Sequence, residues 1–62
     1  MMFMKLTRVD GQALYLDVHS IQAIEIVDGI TRITLWNAYA YVQETPDSIL
    51  AALDSVGREE MN

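Results

Sequence analysis

The chain has 62 residues, 4 basic against 9 acidic side chains, a net charge of −5 and no cysteine. That length holds one domain, and the lack of cysteine excludes a disulfide framework and a thiolate metal site, leaving packing or oligomerisation to stabilise so short a chain. The acidic balance argues against general binding to nucleic acid or anionic membrane, and 52% hydrophobic with 21% charged residues argues against disorder.

In chain order, Met1-Met2-Phe3-Met4-Lys5-Leu6 is apolar but interrupted at Lys5. It lacks the long run of a signal peptide or membrane helix, so a soluble cytoplasmic protein is expected. The methionines near the start read as edge packing rather than as a ligand site. Two strong turn signals, Asp10-Gly11 and Asp28-Gly29, and a weaker one at Asn37-Ala38 separate five strands: Met2–Arg8, Ala13–Val18, Ile21–Val27, Thr31–Trp36 and Tyr39–Gln43. Thr45-Pro46-Asp47 then opens a helix, with Thr45 as N-cap, Pro46 at the first helical position and Asp47 at the positive end. Ile49, Leu50, Leu53 and Val56 form its apolar stripe, and Gly57 stands where a C-terminal cap glycine belongs. The expected domain is therefore 1–57, with 58–62 as a frayed tail.

Side chains alternate along a strand, so each hairpin's register decides what faces the core. A three-residue loop, Val9-Asp10-Gly11, sets Leu6 opposite Leu14 and Met4 opposite Leu16, with Gly11 supplying a positive φ. A two-residue Asp28-Gly29 turn sets Ile24 opposite Ile33 on the inner face and Glu25 opposite Arg32 on the outer face. A two-residue Asn37-Ala38 turn would set Leu35 opposite Ala40 and Ile33 opposite Val42. The expected core is thus Met4, Leu6, Leu14, Leu16, Ile24, Ile26, Ile33, Leu35, Val42 and the helix stripe. The other face receives Trp36 beside Tyr39 and Thr34 beside Tyr41, with Arg32, Val27 and Ile30 nearby.

Trp, Tyr and Arg are enriched at binding hot spots, and one helix covers one face of a small sheet. Aromatic residues are also good strand formers, so plain cross-strand packing is the competing explanation. A subunit whose second face is buried by something else follows from the leftover apolar residues. No enzyme chemistry emerges. His19 is the sole histidine, and Asp17-Val18-His19-Ser20 reads as a bend with side chains capping local backbone rather than as a catalytic triad. Asp10, Asp17, Asp28, Glu44 and Asp47 are turn and cap residues, and Gly11, Gly29 and Gly57 are too isolated for a phosphate loop. No metal and no cofactor is implied.

Lys5-Leu6-Thr7-Arg8-Val9-Asp10-Gly11 resembles the Leu-Thr-Arg-Leu-Asn-Gly opening of the FlbD/SwrD family of small flagellar and swarming-motility proteins. The likeness continues through Leu16-Asp17, Ile21 and Ile24-Glu25. Ile33-Thr34-Leu35-Trp36-Asn37 is similar to that family's Ile-Thr-Leu-x-Asn-Gly, and Tyr41-Val42, Glu44-Thr45 and Ile49 are similar to its Tyr-Val-Val-x-Glu-Ser and following helix. Ala38 stands where the family has glycine, and Tyr39-Ala40 where it has two lysines. The resemblance implies a non-enzymatic motility-related protein.

The fold class expected is mainly β: a five-stranded antiparallel sheet, or an SH3-like barrel, with one C-terminal helix. Two functions follow. One is a self-associating protein-interaction module with Arg32, Thr34, Trp36, Tyr39 and Tyr41 as its contact face. The other is a phage-encoded accessory protein that inhibits a host protein or sequesters a nucleotide signal. There Trp36, Tyr39 or Tyr41 would stack on the base and Arg8 or Arg32 would hold the phosphate, with arginines drawn from more than one subunit.

Overall fold

Two Asp-Gly pairs set the first two hairpins. In the computed structural model, which describes residues 2–61 and side chains as far as residue 55, Gly11 has φ 92°, Asp28 φ 53° and Gly29 φ 78°. Positive φ at both central residues is what a primed two-residue hairpin turn demands, and its twist matches that of the strands it joins. The strands are β1 (Phe3–Thr7), β2 (Ala13–Asp17), β3 (Ala23–Val27), β4 (Ile30–Thr34) and β5 (Tyr39–Val42), followed by α1 (Pro46–Met61). Leu6 faces Leu14 and Met4 faces Leu16 across β1–β2, as a three-residue loop requires. Ile24 faces Ile33 and Glu25 faces Arg32 across β3–β4.

The third hairpin departs from the Asn37-Ala38 expectation. Ile33 pairs with Ala40, Arg32 with Tyr41 and Thr34 with Tyr39, so the turn centres on Trp36-Asn37. The Leu35 N–H donates to the Ala38 carbonyl at 2.9 Å, yet strand pairing ends at Thr34–Tyr39. Asp28 is the sole non-glycine residue with positive φ among the described residues, so no primed turn forms here. An unprimed connection splays its strands, and Trp36 leaves the sheet with the loop. The shift moves each partner by two positions, which preserves the faces.

The five strands divide into two antiparallel sheets, β1–β2 and β3–β4–β5, rather than one sheet, and they do not close into a barrel. One bridge, Arg8 to Val42, joins them, flanked by Val9 N–H to Tyr41 O (3.3 Å) and Gln43 N–H to Thr7 O (2.8 Å). Beyond Gln43 the chain turns into the helix, and no backbone carbonyl continues this seam. The Glu44 carboxylate takes that place, accepting the Thr7 N–H on both oxygens at 2.9 and 3.0 Å. Burial works against the Glu44 charge, but the Thr7 N–H, Glu44's own N–H and the Thr7 hydroxyl outweigh it and lower its pKa.

Leu6, Leu16, Ile33, Val42 and Ile49 form the buried core, with Met4, Leu14, Ile21, Ile24, Leu35, Ala40 and Leu53 packed against it. The core reading needs two corrections. Ile26 is 63% exposed, because β3 is an edge strand and its end runs out beside the Asp28-Gly29 turn. Leu50 is also exposed, on a flank of the helix that the narrow sheet does not reach. The side chain of Val56, the last member of the stripe, lies outside those described. Thr45 caps the helix, its hydroxyl accepting the Ser48 N–H at 3.2 Å while the Ser48 hydroxyl donates back to the Thr45 carbonyl at 2.9 Å. Gly57 falls inside α1 rather than at its end, and the expected tail, 58–62, has no side chain among those described. No helix among the described residues is long and apolar enough to cross a membrane.

Candidate functional site

On β4 and β5 the residues opposite the core are Ile30, Arg32, Thr34, Tyr39 and Tyr41, with Glu25 and Val27 beside them on β3. Alternation puts them there: Thr31, Ile33, Ala40 and Val42 turn inward, so their neighbours turn outward. Tyr39 is 58% and Tyr41 41% exposed. Arg32 lies half-buried between them. Its Nη2 is 2.6 Å from Glu25 Oε1, and its guanidinium carbon lies 4.5 Å from the centre of the Tyr39 ring. The hydrogen bond to Glu25, and next that to Tyr41, raise the Arg32 pKa above its ordinary value. Arg32 Nε is buried without a hydrogen-bond partner. The guanidinium is stacked on Tyr39 and ion-paired with Glu25, and these two contacts orient it on this surface.

Trp36 is placed elsewhere. At 78% exposed it sits on the β4–β5 loop, lining a shallow hollow of about 260 Å³ with Gln22, Thr34 and Tyr39. Thr34 and Tyr39 are therefore the residues that the loop hollow and the sheet face share. Arg8 comes to the opposite side of the tyrosines. With Val9, Leu14, Tyr39, Ala40 and Tyr41 it lines a cleft of about 360 Å³, because the Arg8–Val42 bridge brings the end of β1 beside β5. Its Nη2 lies 2.8 Å from Asp10 Oδ2, on its own loop. Arg8, Arg32, Tyr39 and Tyr41 thus gather around one patch, and both arginines are already paired with a carboxylate. His19 stands in a 3-10 turn, Val18–Ser20, where the Asp17 carboxylate accepts its backbone N–H at 3.0 Å.

Two surfaces have no counterpart in the sequence reading. One is a groove of about 680 Å³ between the Asp28-Gly29 turn and the start of the helix, lined by Val9, Ile26, Ile30, Val42 and Pro46 among others. It arises from Ile26 standing clear of the core, which a strand's edge position decides and alternation does not reveal. The other is the outward face of β1–β2, where Phe3 and Tyr15 are exposed on either side of Lys5. The alternation of Phe3, Lys5 and Thr7 against Ala13, Tyr15 and Asp17 was the available signal. No protein-family model, no curated protein and no solved structure matches the chain.

Proposed function

We propose that the chain is a cytoplasmic, non-enzymatic protein-interaction module that self-associates through the outer face of β3–β4–β5. One observation carries this reading: Tyr39, Tyr41 and Ile30 are exposed together on one sheet face around an arginine fixed by Glu25. Rigid aromatic anchors beside a pre-oriented arginine lose little conformational freedom on binding, as hot-spot residues do. Trp36, on the adjoining loop, extends the face. The likeness to the FlbD/SwrD family adds a setting, flagellar and swarming motility. The residues that carry that likeness do structural work here: Gly11 in a turn, Leu6, Leu16, Ile33, Val42 and Ile49 in the core, and Glu44 and Thr45 at the helix start. The surface at Tyr39 is this chain's own.

Sequestration of a nucleotide by a phage-encoded accessory protein would use the same patch. Arg8 and Arg32 are each engaged by a carboxylate, so a phosphate would have to displace Asp10 or Glu25. That favours a protein partner, with inhibition of a host protein as a variant of the same contact. Light scattering on the wild type and on Tyr39→Ser with Tyr41→Ser tests the proposal. The variant should lose subunits relative to the wild type, and an unchanged mass overturns self-association through this face. A thermal shift with a nucleotide would instead favour the sequestration reading.

A further inference from the structure

β2 is an edge strand, with β1 as its one neighbour in the sheet. The first loop determines which of its backbone groups are left over. The Arg8 N–H bonds to the Gln12 carbonyl, and two residues on the same side follow at Leu6–Leu14 and Met4–Leu16. In an antiparallel ladder these alternate residues direct their N–H and C=O groups at the partner strand, and those between direct theirs away. The backbone groups of Ala13 and Tyr15 therefore point out of the sheet, and among the described residues no hydrogen bond reaches them. Open edges are ordinarily protected by proline, lysine or a bulge. Ala13-Leu14-Tyr15-Leu16-Asp17 has no proline or lysine, and its residues pair one to one with β1 without a bulge.

The segment is also its own complement. Laid antiparallel on a second copy with Tyr15 on the two-fold axis, Leu14 meets Leu16 of the other copy and Ala13 meets Asp17, so no charge faces a like charge. The two Tyr15 residues then exchange N–H···O=C bonds. The leucines carry the inner apolar surface across the junction, and Tyr15, 62% exposed in the single chain, continues the outer one. β3, at the far edge of the second sheet, has Glu25 at its middle and the helix packed beside it, while β1 and β5 face one another at the Arg8–Val42 bridge and β1 carries Lys5.

We propose that two copies of this chain join β2 to β2, merging two two-stranded ribbons into one four-stranded antiparallel sheet. A two-stranded ribbon is marginal by itself, and three or more strands with an apolar face give independent stability. The chain exposes 4434 Å². A folded monomer of this mass exposes about 4,000 Å². A stable dimer hides about 800 Å² on each partner.

The pairing is independent of the aromatic face, so it is tested in the Tyr39→Ser, Tyr41→Ser background. Light scattering should give two chains for that background. Adding Tyr15→Pro should halve the mass, because proline removes the outward N–H while leaving every β1–β2 bond in place. Adding Tyr15→Thr, which keeps the N–H, should leave two chains. A background of one chain, or a proline variant that still holds two, overturns the pairing. The Tyr15 amide of the background protein gives a reading that does not depend on the proline variant folding. It should be protected from hydrogen exchange at high concentration and lose protection on dilution, and free exchange in a two-chain sample overturns the proposal. A one-chain background with a larger wild type leaves the aromatic-face reading intact, whereas a one-chain wild type removes both.

Discussion

Glu44 holds β1 to the start of the helix with a carboxylate where a longer strand would use a carbonyl. Its folded pKa lies below its ordinary value of 4.5. A carboxyl of that kind binds protons more weakly in the folded than in the unfolded chain. Its contribution is complete above the unfolded pKa and is lost as pH falls through the folded one. The melting temperature of the wild type should therefore fall more steeply below about pH 4.5 than that of Glu44→Gln, since near that pH an unfolded glutamate is about half protonated. Equal slopes in a thermal titration of the two proteins would show that the Thr7 contact contributes nothing. From the sequence alone Glu44 is a turn residue. Its bond to Thr7 spans 37 positions, and neither hairpin chemistry nor alternation links residues that far apart.

At the scale of elements, what could be read depended on glycine. The first two hairpins have Gly11 and Gly29 where the backbone turns to positive φ, and their registers follow from the sequence. The third has Ala38 in the glycine's usual place, and two registers that differ by two positions keep Ile33, Ala40 and Val42 inward alike. Hydrophobic pattern cannot separate such alternatives: the sequence sets Tyr39 beside Trp36 and Tyr41 beside Thr34 on the right face, whereas the structure pairs them with Thr34 and Arg32 and leaves Trp36 outside the strand. Ile26 and Leu50 show a second limit. Periodicity gives the direction of a side chain, whereas burial also needs something opposite it, and these two project past the edge of a narrow sheet. The helix start was legible because its capping is local. Thr45→Ala removes the acceptor of the Ser48 N–H and should cost about 1 kcal/mol in denaturant unfolding, with the m-value unchanged.

For the whole molecule, the small core is the governing fact. Among the described residues, five buried apolar side chains and their half-buried neighbours must hold a chain without a disulfide. Chains this short ordinarily take additional stabilisation from disulfides, metals, close packing or assembly. If the open β2 edge and the aromatic face are covered by further copies, assembly and folding are linked, and the melting temperature should rise with protein concentration. Calorimetry over a hundredfold dilution checks this, and a constant melting temperature would identify a stable monomer. The molecule also carries a built-in optical reporter. Its single tryptophan, Trp36, stands in water at a loop tip while the core contains none. Heating the separate chain should scarcely change the colour of its emission, because Trp36 moves from water to water. A partner seated over the β4–β5 loop should shift that emission to the blue. Fluorescence is thus a poor thermometer of folding for the separate chain and a direct reading of whether that loop lies inside an interface.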